Sequence, residues 1–458
     1  MAVDWSNPKF RAIIIIAAIF ILGIFLGQVI TGYSYKITLA LILSAVIFII
    51  TLVNTDAGLA ILIFSMLLSP EIIMGQVPGR DIVIRFDDIL LAVITFAWLA
   101  KTAVNKGLAL FIKTPLNKAI GFYILVCLIA TLQGIALGYV VPAKGFFYLL
   151  RYIEYFLLFI LVVNHIHSRK QIEFFLRAFF ITCALVSVYG ILQIPTGRRV
   201  SAPFEGEAGE PNTFGGYLLL IFCIAMGIFL QNVSKRLKIT LVGLCVLIII
   251  PFFYTLSRAS YLGIIFSLLA FVVLSKRKAV LITVATAVLI SGIAIKPETV
   301  FSRVKYTFQE KQNYLVRIGS TYLDASASAR IFSWEDGLKT WKKNPILGRG
   351  ITGAGFIDGQ YARTLPELGV IGLFALLWLL WTIFKNSLSI HKRMNNELDK
   401  GLTLGLTAGF IGLAIHALTA NTFIIIRIME PFWFLVGIIM MLPEIEHSEE
   451  EVTSLEKS

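Results

Sequence analysis

The sequence predicts an all-α polytopic membrane protein, and three observations carry that expectation. Apolar residues make up 58% of the 458 positions and charged residues 15%, against about 45–50% and about 25% in soluble globular chains. The mean hydropathy is +0.85 over the whole length, so the apolar excess is not confined to one leader segment. The apolar runs also recur along the chain at lengths suited to crossing a bilayer, about 20 residues each as helix. Together these exclude a water-soluble enzyme, a disordered scaffold and a nucleic-acid-binding domain.

About fourteen such runs lie near residues 12–31, 37–53, 57–70, 88–104, 117–138, 147–166, 172–193, 213–232, 238–255, 258–275, 279–296, 364–385, 401–419 and 422–442. The third is short and the pair at 238–255 and 258–275 nearly touches, so the expected count is 12–14. The first run has no evident small-residue cleavage site and is read as an anchor. Cys127, Cys183, Cys223 and Cys245 all fall inside apolar runs and read as small core residues, not as a disulfide framework.

The formal charge of +13 reports topology and contact with anionic lipid, because the basic residues are spread thinly between the runs. With a cytoplasmic N-terminus, the inner side collects Lys9, Arg11, Lys101, Lys106, Lys113, Lys118, Arg169 and Lys170. It also collects the clusters at 235–238, 276–278 and 385–400. One alternation satisfies every cluster, so both termini are expected to be cytoplasmic. Residues 1–296 then form the first set of spans, 297–363 a large outer loop, 364–442 the last spans, and the acidic stretch 443–458 a disordered cytoplasmic tail.

Two outer segments are longer than connections usually are. Residues 194–212 form the first. In the second, 297–363, the apolar positions Ile331, Trp334, Leu338 and Trp341 follow helical spacing after Asp324, Ser326 and Ser328, and Pro345 and Gly348 end the run. This predicts an amphipathic helix on the outer membrane face.

Ionisable residues within spans are costly and mark function by default. Arg151, Arg258 and Arg427 each lie within about five residues of the outer end of a run, at most roughly 7–8 Å deep. Arg151 with Glu154, and Arg427 with Glu430, are spaced to neutralise one another. Arg258 has no carboxylate within four residues and is the strongest anion candidate. Arginine also dominates the outer loops, at positions 80, 85, 198, 199, 303, 317, 330, 349 and 363. Guanidinium groups at one depth, beside an apolar bundle able to hold a lipid chain, suit a lipid-linked diphosphate.

Other signals carry less. Gly348-Arg-Gly350-Ile-Thr-Gly353 matches a dinucleotide fingerprint literally but follows a helical pattern and not a strand. His165, His167, His391 and His447 have no metal-ligand company, and His416 within a span reads as a buried, hydrogen-bonded residue or a substrate contact. Glu205, Glu207 and Glu210 form an acidic outer patch that could bind sugar hydroxyls or a cation, or be a solvated loop.

Three segments resemble the bacterial O-antigen ligase and polymerase superfamily. They are Thr255-Leu-Ser-Arg258-Ala-Ser-Tyr-Leu-Gly263, Arg330-Ile-Phe-Ser-Trp334 with Pro345-Ile-Leu-Gly348-Arg-Gly350, and Asp358-Gly-Gln-Tyr361 through Glu367-Leu-Gly369 to Phe374. The resemblance implies a GT-C-like membrane glycosyltransferase. Such an enzyme moves a glycan from undecaprenyl diphosphate to a glycan or lipid acceptor at the outer face of the inner membrane, with no cofactor and no metal. It would work in the lipid bilayer beside other polysaccharide assembly proteins and without nucleic acid. It implies Arg258 and Arg330 as diphosphate ligands, with Arg198 or Arg199 assisting, and Asp358 and Glu367 near the reacting sugar. Arg151, Tyr361 and Arg427 are further candidate substrate contacts. Family ligases carry a His where this chain has Asp358, which favours a polymerase of lipid-borne repeat units over a ligase. The alternative from another class is a transporter or flippase for lipid-linked glycans, but no internal repeat of the transporter kind is evident.

Overall fold

The computed structural model describes residues 35–77, 80–104, 112–205, 209–278, 286, 308–309, 316–318, 321–323 and 325–457. It is a helical bundle. Its helices are α1 (Tyr35–Val53), α2 (Thr55–Leu68), α3 (Phe86–Val104), α4 (Asn117–Ala136), α5 (Pro142–His165), α6 (Arg169–Gln193) and α7 (Pro211–Phe229). They continue with α8 (Lys235–Tyr254), α9 (Arg258–Leu274), α10 (Ala325–Lys343), α11 (Gln360–Arg393), α12 (Glu397–His416) and α13 (Ile426–Lys457). Eight of these, α4 to α8 and α11 to α13, are long and apolar enough to cross a membrane. Residues 43–53, 55–68 and 258–274 form shorter apolar helices. The expected runs at 12–31 and, apart from residue 286, at 279–296 lie outside the described residues.

Every other expected run has a helix, and the nearly touching pair resolves into α8 and α9. Pro251 sits inside α8, whose helix ends at Tyr254. Ser257 then caps α9, its hydroxyl accepting from the Ser260 amide at 3.2 Å and filling one of the donors a helix start leaves open. Between them Leu256 adopts φ 51°, a left-handed conformation that costs a branched residue energy and turns the chain sharply.

Two features depart from the sequence expectation. A hairpin, β1 (Glu71–Val77) with β2 (Arg80–Arg85), pairs antiparallel with Glu71 opposite Arg85 and leads directly into α3. A smaller sheet joins β3 (Phe308–Gln309), β4 (Arg317–Ile318) and β5 (Thr321–Leu323) in the order β3-β5-β4. The acidic tail is also not irregular: α13 continues to Lys457. Arg169 pairs with Glu446 and Glu449 there, and the Asn395 amide donates to Glu446 at 2.9 Å.

The core is built around α7, α12 and α13. Along α12, Gly401, Gly405, Gly409 and Gly412 share one stripe that faces α7 and α9. A Cβ on Gly405 would lie 2.5 Å from the Cys223 carbonyl oxygen, and one on Gly412 would lie 2.9 Å from that of Gly263. Such contact between helices needs small residues, because lipid tails compete with larger ones for packing. On the other side, Trp433 of α13 sits edge-on to Phe156 and Phe159 of α5, at 4.8 and 5.5 Å between ring centres. The cysteines are free thiols.

Helix α11 is broken near its start, and the break places the loop ahead of it. Pro366 removes a donor, and Gly369 takes φ 67° and ψ −168°. The carbonyls released by the break accept from the loop: Arg349 N to Pro366 O at 3.0 Å and Gly350 N to Glu367 O at 2.8 Å. The glycine-rich stretch 348–353 is therefore a packed bend against α11, not a cradle for a dinucleotide. A Cβ at Gly369 would fall 2.1 Å from the Ile346 carbonyl oxygen, in a backbone region open essentially to glycine alone. Gly369→Ala is expected to cost at least about 1–3 kcal/mol from backbone strain alone. Thermal unfolding in detergent should register this as a lowered Tm.

Candidate active site

The starts of α5, α7, α9, α11 and α13 meet at one end of the bundle. Those of α5, α7 and α13, with the segments ahead of them, line a cavity of about 520 Å³ whose wall includes Arg85, Arg151, Tyr152, Arg199, Glu205, Glu210, Asn212, Phe356, Asp358 and Arg427. A smaller pocket of about 50 Å³ adjoins it, lined by Arg199, Asn212, Leu256, Arg258, Ala259, Ser326 and Arg330. Arg199 and Asn212 line both. Cationic side chains far apart in the sequence thus converge on two neighbouring spaces with shared wall residues, beside the N-termini of α7 and α9. A helix N-terminus adds positive potential, so it reinforces the attraction for an anion.

Each member is set in place locally. Arg199 donates through Nε to the Thr255 carbonyl at 2.9 Å and through Nη2 to the Leu256 carbonyl at 3.3 Å, bracing the strained turn that precedes Arg258. The Ser257 hydroxyl donates to Asn212 Oδ1 at 2.8 Å, tying the start of α9 to that of α7. Arg330 and Trp334 lie one turn apart on α10, the amphipathic helix expected in the large loop. Arg330 Nε stands 3.6 Å from Asp358 Oδ2, and Trp334 Nε1 donates to the Asp358 carbonyl at 2.5 Å. On the far side, Asn421 Nδ2 donates to the Ile357 carbonyl at 3.0 Å and the Gln360 amide to the Ala417 carbonyl at 2.9 Å. Asp358 is thereby held between the loop helix and the turn after α12.

Arg151 lines the cavity from α5. It lies 3.6 Å from Asp88 and over the Phe147 ring at 5.0 Å.

Other sequence candidates lie elsewhere or do other work. Arg198 is exposed and lines neither space. Tyr361 donates its hydroxyl to the Ala414 carbonyl at 3.0 Å and packs against the core. Glu367 is buried, 3.0 Å from Arg363 Nε, and accepts from the Thr352 amide at 2.9 Å. It locks the loop at 348–353 onto α11 and stands outside the cavity lining, because the broken helix turns it inward. Arg427 reaches the cavity wall, but its guanidinium serves backbone. Nη1 donates to the Leu67 and Pro203 carbonyls at 3.1 and 2.7 Å, and Nη2 to those of Ser69 and Phe204, both at 3.3 Å. His416 is a buried residue, its Nδ1 2.7 Å from Thr422 Oγ1.

Several wall residues were weak or absent signals in the sequence. Arg85, at the end of the hairpin, is buried, donates to the Met66 carbonyl at 2.9 Å and pairs with Asp87. Its only signal was membership in the arginine-rich outer set. Glu205 lay in the acidic outer patch and is buried; Glu207 of that patch falls outside the described residues. Asn212 and Phe356 carried no signal, since a neutral polar residue or one phenylalanine has no pattern to stand out from.

Residues 243–372 match the model of the O-antigen ligase family. The match contains Arg258, Arg330 and Asp358, and leaves Arg151, Arg199, Glu205 and Arg427 outside it. A search of curated proteins finds no match.

Proposed function

We propose, from the premise that residues 243–372 belong to the O-antigen ligase and polymerase superfamily, that this chain is a polysaccharide polymerase. It extends repeat units carried on undecaprenyl diphosphate at the outer face of the bacterial inner membrane. The observation that carries this reading is the small pocket where Arg199, Arg258 and Arg330 meet at the edge of a cavity large enough for sugars. A diphosphate held there lies beside the start of α9, and its glycan points into the wider space past Asp358.

The reaction joins an acceptor hydroxyl oxygen to the anomeric carbon and breaks that carbon's bond to the diphosphate, which departs with the electron pair. The leaving group is already a stable anion, so the main demands on the protein are alignment and charge stabilisation. Arg258 and Arg330 supply the charge without a metal. Arg199 presents the turn that carries Arg258. Asp358, facing Arg330, orients the incoming sugar at the junction of the two spaces. Attack from the cavity side, opposite the departing diphosphate, inverts the anomeric centre.

Sidedness follows from the basic residues. Lys118, Arg169, Lys235, Lys278, Arg393 and Lys400 all lie at the helix ends opposite the cavity. Clusters of Lys and Arg favour the cytoplasmic side, so the cavity opens outward and the C-terminal end of α13 lies in the cytoplasm. The Asp358 position, where family ligases carry His, favours polymerisation.

Purified full-length protein in liposomes, given a lipid-diphosphate repeat unit and no ion gradient, is expected to produce a ladder of longer lipid-linked glycans. Lipid movement across the bilayer with no new glycosidic bond would identify a transporter. Transfer only to an added lipid A–core acceptor would identify a ligase.

A further inference from the structure

The cavity wall contains a second carboxylate, Glu205, in the segment that precedes α7. This segment is drawn inward because Arg427 holds the carbonyls of Pro203 and Phe204, and Phe204 takes φ 60° to make the bend. Glu205 Oε2 is fixed by two backbone amides, that of Ala202 at 3.1 Å and that of Glu210 at 2.9 Å. Its other oxygen, Oε1, is buried with no hydrogen-bond partner among the described residues and lies 4.0 Å from Arg427 Nε. One oxygen is therefore anchored by two amides, and the other, facing Arg427, belongs to a side chain of the cavity wall. Asp358, in contrast, directs Oδ2 towards Arg330, on the diphosphate side.

We propose that Glu205 is the catalytic base, taking the proton of the acceptor hydroxyl. The assignment rests on the glycosyl-transfer reading above. In the step, the hydroxyl proton passes to Glu205 Oε1 as the hydroxyl oxygen bonds to the anomeric carbon. The bond from that carbon to the diphosphate breaks, and the electron pair leaves on the diphosphate held by Arg258 and Arg330. The protonated carboxyl then returns its proton to water in the cavity.

Burial pushes the Glu205 carboxyl up to about 8, against the opposing pull of Arg427 and the two amides. A base is most effective when its proton affinity lies near the working pH. The charged groups around it are Arg427 from α13, Glu210 ahead of α7, and Arg85, Arg151, Arg199 and Asp358 across the cavity. Since the ionised carboxylate is the active form, the rate should rise with pH through this value and then level off.

The test compares wild-type protein, Glu205→Gln and Glu205→Asp in the liposome extension assay over a range of pH, with donor affinity measured separately. Glu205→Gln should lower kcat by on the order of 10²–10⁴-fold, leave donor affinity within about threefold, and lose the alkaline rise. Glu205→Asp, which keeps the carboxylate, should retain the rise at a reduced rate. A Glu205→Gln variant with wild-type kcat, or with the same pH rise, overturns the proposal. Parallel loss of donor binding also overturns it, by making Glu205 a support of the donor pocket. If Arg258→Ala and Asp358→Asn abolish extension while Glu205→Gln does not, only the base assignment falls. If the wild-type protein forms no glycosidic bond, the polymerase reading falls with it.

Discussion

Arg330→Ala is expected to reduce glycan extension by on the order of 10²–10³-fold, the usual cost of removing one preorganised donor from a developing negative charge. The folded protein should be little affected. Arg330 projects from α10 into the small pocket, and its ion pair with Asp358 at 3.6 Å is too long to hold the bundle together. Donor affinity should fall with the rate, because the guanidinium meets the diphosphate before and after the bond breaks. Arg258→Ala should behave alike. The decisive measurement pairs single-turnover extension with thermal unfolding of the same preparations. Extension at the wild-type rate by both variants would remove the diphosphate pocket from the mechanism.

Arg427→Ala should give the opposite pattern, a large loss of stability. Its guanidinium ties Leu67 and Ser69, at the end of α2, to Pro203 and Phe204 in the cavity wall. Deleting it leaves those carbonyls and Glu205 buried without their cation, which for a buried charged group costs about 3–5 kcal/mol. Arg427→Lys should restore only a small part, since an ammonium cannot reproduce the planar fork that reaches all four carbonyls. A sharply lowered Tm for both variants is the expected result. A normal Tm with lost donor binding would instead return Arg427 to the substrate contacts that its position in the sequence suggested.

The two arginines show how residues alike in sequence part ways in the fold. Arg151, Arg258 and Arg427 share one kind of position, each a cation just inside the expected outer end of an apolar run, and the sequence set Arg258 apart only by its lack of a carboxylate within four residues. The surroundings separate them fully: Arg258 opens onto a pocket, Arg151 leans on Asp88 and Phe147, and Arg427 is consumed by backbone carbonyls. Glu367 is a similar case. Its motif placed it beside the reaction, but Pro366 and Gly369 break α11 and rotate it towards Arg363 and the Thr352 amide.

The hairpin 71–85 was missed because its strand signal, Ile-Ile-Met-Gly followed by Ile-Val-Ile, is short and sits among apolar runs. The helical tail was missed because its acidic residues lack a partner in sequence, whereas Arg169 supplies one in space.

Sequence alone determined the membrane class, the position of nearly every described helix, the amphipathic helix at 325–343 and the abundance of arginine between the later spans. These depend on local apolar content, spacing and charge, which any stretch of chain carries within itself. The tertiary structure alone decided which charges share a space, which are spent on holding backbone, and that Glu205 turns inward with one oxygen unclaimed. Those outcomes depend on the distance between residues such as Arg427 and Pro203, separated by more than half the bundle in chain order, and on desolvation that exists only once the helices have closed around them.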